Sequence, residues 1–541
     1  MKLARMGAFH RSRLSFIPTL LRLVQQEAWR FDRTVWDIDA RGVGCAVYRA
    51  IGPKRTYSLV AFAHDLPDAM RSDRVIATAW DATFTLFDGE PSADDLARLG
   101  ANVPRQEAGR VSDSELTLAR ANRSVRLWDY VVDSLSAGVQ PERAQIEAVG
   151  YLMRTTAVYG SGKFGAADRL AIADRVEFNG PFRAEMLTVW LIRAFTVDLV
   201  EHLARVKGGA RAVTLEPNLR RRIGVGNSTG LGMAPFLINH PVLINNWIAA
   251  REEALARVRS LDVATPDRIG EFNQQLADAQ ANAGQWNTSH ATQAQKVRQL
   301  RSDLDRLADY WLIAQREPTR PWNALYCWAE RSLSLEGQEQ LVSLLIDAHG
   351  DLVDDLASTM DADEEASFRI EGGMTVGRLL ETLHAHYEWT RGIDFKQPAS
   401  RALFWYVSEE KLEPRIGERA HEAGAELENP LGVAYDASQM WDALERFDRN
   451  SRIAEFLLEH PEYRHVVRRV QIVEKYPFAE IQDNLTDAQM LATDLLRCKL
   501  SFFGAAKFDP RSDRWVRISM YEGAPFPHEL SAKPQAGAQA A

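Results

Sequence analysis

Three groups of residues in this chain have the types and spacing that chemistry needs. The first is Arg120 and Arg123, set in a stripe with Leu116, Leu127 and Val131. Guanidinium groups flanked by leucines must find anionic partners, because a buried charge without one costs several kcal/mol, roughly. The second is Met153 to Arg169, where Arg154, Tyr159 and Lys163 surround Gly160, Gly162 and Gly165. Glycines there let the backbone turn tightly and present N–H groups to an anion, and an ammonium beside a phenol lowers its pKa and fits it for acid–base work. The third is Arg220 to Pro241, where Gly224, Gly226, Gly230 and Gly232 enclose Asn227, Ser228 and Thr229. Hydroxyls and an amide in a glycine loop can close on an anion or on a developing oxyanion.

Together these groups predict binding of a small carboxylate or phosphate. Arg120, Arg123, Arg154, Asn227 and Thr229 would hold it, and Tyr159, Lys163 and Ser228 would act on it. The competing reading of Arg120 and Arg123 is a pair of structural ion bridges to Glu185 or Asp198. The Met153–Arg169 run is not a Walker A loop, since Phe164 stands where Ser or Thr is required. A helical segment expected over 141–156 argues against a dinucleotide fingerprint, which comes after a strand. Tyr159 and Lys163 have the spacing of the short-chain dehydrogenases, but two intervening glycines and the lack of that family's N-terminal nucleotide motif set this chain apart. The Gly/Ser loop with Met and Pro is loosely similar to that of the fumarase/aspartase lyases, yet Phe236, Leu237 and Ile238 replace the Lys and Asn expected after the Pro. With no nucleotide fingerprint, nucleophile elbow or firm metal set, proton abstraction and elimination, a lyase-type step, is the reaction class expected.

Two alternatives stand beside it. Glu381 with His384, Glu418 with His421 and Glu462 with His465 each have the Glu-x-x-His spacing of di-metal bundle helices, so a helical di-metal oxygenase is the first. The cluster His384, His386 and Glu388 adds to that set, though no metal ligand is assigned. A non-catalytic scaffold is the second. A further possibility is a redox or CoA cofactor filling a Trp-rich cleft, and the residues do not identify the cofactor. Cys45, Cys327 and Cys498 have no CxxC spacing and read as reduced thiols. Cys498 lies between Arg497 and Lys499, but neighbours on a helix point in different directions.

The elements that must position these residues can be read from pattern. Cys45 to Ile51, Tyr57 to His64 and Val75 to Phe87 are β-rich, with a turn through AIGPKR. Ser112-Asp-Ser-Glu115 reads as a capping box opening a helix over 113–137 that Gly138 stops. Its solvent stripe would be Glu115, Asn122, Arg126, Asp129 and Asp133, its main buried stripe Leu118, Ala121, Val125, Trp128 and Val132. Another helix is expected from about Ala166. Residues 182–206 are apolar on nearly every side, as in the centre of a helical domain. Val297, Leu300, Leu304, Leu307 and Trp311 recur every three or four residues, the seam of a helical hairpin over 265–316.

The expected architecture is therefore mainly α, α+β overall. A large helical body carries a small N-terminal antiparallel β element (1–100), a central core (101–264), a projecting hairpin (265–318), a mainly helical region (319–527) and a disordered tail (528–541). Length, 541 residues, suits several packed units, and 14 Trp require a real interior or a cleft. With 65 Lys and Arg against 74 Asp and Glu, the charge is −9, which argues against nucleic acid as partner. The basic N-terminal stretch is broken by Pro18 and Arg22, so neither a secretory core nor a membrane span is expected. A cytoplasmic homo-oligomer assembled through the hairpin is the resulting expectation.

Overall fold

The computed structural model describes residues 12–67, 79–104, 109–155, 157, 165–166, 172, 174–178, 180, 182–228, 240–286, 291–361, 367–397, 405–408, 414–416, 428–430, 433–479, 501–504, 507–510 and 516–531. They fall into two compact units. One comprises Ser15–Thr229, Leu500–Arg511 and Val516–Ala541; the other comprises Met1–Leu14, Gly230–Lys499 and Ser512–Trp515.

The first unit is built on one large sheet. Strands β1 (Arg30–Ile38), β2 (Gly44–Ile51), β3 (Thr56–Ala63), β4 (Ala82–Asp88) and β5 (Glu115–Arg123) form an antiparallel meander. Next to β5 lies β6 (Tyr151–Thr155), then β8 (Gly224–Ser228), then the strands Val516–Met520 and Lys507–Pro510. The short β7 (Gly165–Ala166) also pairs with β5, giving ten strands. Every pairing is antiparallel except β6 with β8. The β element expected to be small is thus a major part of the fold, and the chain is α+β with helices still in the majority.

Helices cover both faces of the sheet. The 26-residue α5 (Arg183–Gly208) runs under β2 to β8, and Phe195 on it meets Phe84, Tyr48 and Trp36 at 5.5, 6.3 and 6.3 Å between ring centroids. It is apolar all round because the sheet takes one side while α1 (Phe16–Gln26) and α3 (Trp128–Ser136) take others. Its place is therefore against a sheet, not at the centre of a helical domain. On the opposite face α2 (Ala93–Ala101) brings Leu96 and Leu99 onto Val47, Val60 and Phe87. Between β5 and β6 the chain forms α3 and α4 (Arg143–Val149), and α4 stops at Gly150, whose φ of 79° is costly for other residues. The Gly150 carbonyl then accepts hydrogen bonds from the Gly224 amide and the Ser519 hydroxyl, at 2.8 and 2.7 Å, at the start of β6.

The second unit is helical. The hairpin read from the Leu/Val/Trp seam is present as helices Pro266–Gln285 and Ala291–Ala314, with Val297, Leu300, Leu304, Leu307 and Trp311 all buried. It does not project: Trp311 stacks on Trp322 at 4.6 Å, Phe272 packs on both, and the hairpin lies against helices Pro321–Ser332 and Leu335–Asp347. A second core gathers Leu379, Leu383, Tyr387, Met440, Trp441, Phe456 and Val470 from helices Val376–Tyr387, Val433–Leu444, Ile453–Glu459 and Arg464–Lys475. A three-stranded sheet places Trp405–Ser408 between Pro414–Ile416 and Glu428–Pro430. No described helix is long and apolar enough to cross a membrane.

Candidate functional site

Arg120 and Arg123 are on a strand. The Ser112/Glu115 contact forms, with the Ser112 hydroxyl donating to the Glu115 carboxylate at 3.3 Å, but it closes a turn into β5. The segment 113–137, expected as one helix, is β5 and then α3. The reason is tertiary: β5 is central in the sheet, so both its faces are buried, and Leu116 and Leu118 share one face with the polar Arg120 and Asn122. Helix-favouring Leu, Ala and Arg are overruled by that burial.

The strand reading regroups the site. Across β3, β4, β5, β6 and β8, one row at the sheet's end reads His64, Asp81, Asn122, Arg154, Gly226, with Ser519 on the next strand. The pairs Asn122–Arg154, Arg154–Gly226 and Gly226–Ser519 are in register. His64 and Asp81 extend the Ala63–Ala82 pair, the His64 amide donating to the Asp81 carbonyl at 2.9 Å. The Asp81 amide in turn donates to the Asn122 side-chain oxygen at 3.2 Å. Two residues along β4 and β5, Thr83 pairs with Arg120. Strand alternation puts Thr83, Arg120, Asn122 and Arg154 on one face, opposite Phe84, Ala119 and Ala121 above α5.

Burial makes this row electrostatically demanding. Asp81 is fully buried, Asn122 and Arg154 each 5% exposed. The Asp81 carboxylate accepts the Arg123 backbone N–H at 2.9 Å and lies 3.8 Å from the Arg123 Nε. Asp81 is thus an acid beside Arg123, while Asp198 takes the Arg33 guanidinium and the Tyr48 hydroxyl, at 2.9 and 2.7 Å. Arg123 also lies 4.8 Å from the Trp128 ring centre, and Arg120 lies 5.4 Å from that of Trp80. Burial pulls the His64 imidazolium down to about 4, against the opposing attraction of Asp81, so the ring is neutral at pH 7. The His64 Nε2 and the Thr83 Oγ1 are both buried with no hydrogen-bond partner among the described residues.

The remaining predicted residues separate. Asn227 is buried in β8, and its side-chain amide donates to the Thr155 carbonyl at 3.1 Å, tying β6 to β8. Ser228 ends that strand opposite Arg517. Tyr159, Lys163 and Thr229 lie outside the described residues. A strand, β6, precedes the Gly160–Gly165 run in place of the end of the expected 141–156 helix. Strand structure also closes the run: Gly165 and Ala166 pair with Leu118 and Thr117, in place of the helix expected from Ala166. Gly224 and Gly226 belong to β8, not to a loop.

The metal spacings do not assemble a site among the described residues, where no three His, Cys, Asp or Glu side chains come together. His384 pairs with Glu388 and His465 with Asp436, each at 3.0 Å. Glu418, His421 and Cys498 lie outside the described residues. Burial pushes the Cys45 thiol up to about 11, so it stays protonated. Sequence reading missed His64, Thr83, Trp80 and Asp81, and assigned Asn122 to a solvent stripe. No known family model matches the chain, and neither does any curated protein or solved structure.

Proposed function

We propose that the chain is an enzyme acting on a small anionic metabolite, held at the row that joins His64, Asp81, Asn122 and Arg154. The observation that carries this reading is the pair of buried atoms, His64 Nε2 and Thr83 Oγ1, beside the arginine-bearing strands. Arg154 and Arg120 supply the charge-assisted donors that carboxylates and phosphates prefer. Thr83 adds a hydroxyl, and Asp81 orients β4 against β5. Neutral His64 accepts a proton from the substrate. An anion bound beside it raises its pKa towards the neutral range, because a neighbouring negative charge favours the imidazolium. Proton abstraction and then elimination use these groups without a further nucleophile.

The test is a calorimetric screen of small carboxylates and phosphates against the wild-type protein and the variants Arg154→Ala and Arg120→Ala. One lost charge-assisted bond costs about 1.5–3 kcal/mol, so affinity should fall by roughly 10- to 100-fold. NMR titration of the His64 ring should show its pKa rising when the anion binds. A ligand that binds both variants as well as wild type, with an unmoved His64 titration, would rule the reading out.

A further inference from the structure

A second cationic site lies in the helical unit. Residues 367–371 run beside the helix Arg464–Lys475, fixed by Gln471, whose side chain accepts the Glu371 amide at 2.8 Å and donates to the Glu371 carbonyl at 3.1 Å. Arg468 donates to the Phe368 carbonyl at 3.4 Å, and its guanidinium lies 5.8 Å from the Phe368 ring centre. Between the two segments is a cleft of about 780 Å³ lined by Phe368, Arg369, Ile370, Arg464, His465 and Arg468. Glu462 also lines it, but it is engaged by His460 at 3.2 Å, and His465 is held by Asp436. Arg369 and Arg464 are exposed and have no acidic partner among the described residues. Arg369 and Arg464 thus line the cleft beside a described carboxylate, Glu462, that already has a partner.

The cleft volume is that of a small-molecule site, within the usual range of about 300–1,000 Å³. Its walls are of two kinds, with Phe368, Ile370 and Pro461 apolar and the arginines cationic. Nucleic acid and other long polyanions are disfavoured by the net charge of −9. We propose that this cleft binds a small phosphorylated metabolite, with its phosphate on Arg369 and Arg464 and its apolar or planar body against Phe368 and Ile370. Arg468, stacked on Phe368, joins the two halves of the site. The cleft belongs to a different unit from the His64–Arg154 row, so the two readings stand or fall separately.

Isothermal titration with adenosine 5′-monophosphate, adenosine and inorganic phosphate tests this on the full-length protein. The monophosphate should bind more tightly than either fragment. The exposed double variant Arg369→Ala/Arg464→Ala, checked for folding by circular dichroism, should weaken it at least about tenfold, the scale of a lost charge-assisted contact. Arg331→Ala, on another helix of the same unit, should leave it unchanged. No heat of binding at millimolar monophosphate would overturn the proposal, as would equal affinity in the double variant. Tighter binding of an acidic peptide or an oligonucleotide than of the monophosphate would overturn the ligand class.

Discussion

His64 and Asp81 face each other at the ends of β3 and β4, joined by the amide-to-carbonyl hydrogen bond of 2.9 Å. The imidazole is held near pKa 4, well under the unfolded value of about 6.5. Between those values the unfolded chain binds more protons than the folded one, so stability rises with pH across this window. Acidification from about 6.5 towards 4 therefore removes stability, by at most about 1.4 kcal/mol per pH unit, and above 6.5 the effect vanishes. Urea unfolding of wild type and His64→Gln at pH 7 and pH 5 reads this directly. The variant should show the shallower loss, and identical losses would refute the assignment.

The Asp81–Arg123 contact predicts a large cost of a different kind. Asp81 is fully buried and accepts the Arg123 amide. Asp81→Asn keeps the shape but removes the charge that balances the guanidinium. Breaking a buried pair on one side costs about 3–5 kcal/mol. The double variant Asp81→Asn/Arg123→Gln should be less destabilised than the sum of the single ones, by about 0.5–3 kcal/mol of coupling. Strict additivity in a thermal or denaturant series would show that the two groups do not act together.

Much of this fold was legible in the residues, and the failures share one cause. β2 and β3 were readable because their ends are marked by turns and their residues are β-branched or aromatic. The hairpin was readable because Val297 to Trp311 keep one period over four turns. The segment 113–137 misled because a central strand is buried on both faces and so lacks a polar face to contrast with an apolar one, and a helical wheel can be drawn on any sequence. Val125, assigned to a buried stripe, is 55% exposed, while Asn122, assigned to solvent, is buried. Of the proposed site, Arg120, Arg123 and Arg154 were named from their chemistry alone. His64 and Asp81 were not, since they share a row with Arg154 only through sheet register, a long-range property that local spacing does not encode.

Arg193 gives a prediction for the end of the chain. Fully buried on α5, its guanidinium donates to the carbonyls of Ile223, Arg221 and Ala524 at 2.6, 3.1 and 2.8 Å, and it lies 3.9 Å from the Phe526 ring centre. No other side chain could reach all three carbonyls, because only the guanidinium fork offers so many fixed donors. Arg193→Met should cost about 3 kcal/mol, with carbonyls left buried and without donors. Arg193→Lys should recover only a small part. Amide exchange at residues 524–527 should speed up more than in β2 or β3, and uniform acceleration across the unit would contradict a local clamp.

Two glycines should respond to alanine with opposite signs. In β8, a Cβ on Gly226 would stand 2.7 Å from the Tyr151 ring and 2.9 Å from the Arg154 Cγ. Tyr151 is 1% exposed and has no room to withdraw, so the Arg154 stem must shift. Overpacking of this kind costs about 1–3 kcal/mol. Because Arg154 is the arginine proposed to hold the anion, Gly226→Ala should also weaken small-anion binding, at a temperature where the variant is still folded. Gly270 lies within the helix Pro266–Gln285, and a Cβ there meets nothing within 4 Å. Gly270→Ala should therefore stabilise the helical unit by up to about 1 kcal/mol through helix propensity and a less flexible unfolded chain. Denaturant midpoints give both signs, and calorimetry on the same samples gives the binding change. Intact anion affinity in Gly226→Ala, with the expected loss of stability, would separate the packing role of that glycine from any role in placing Arg154.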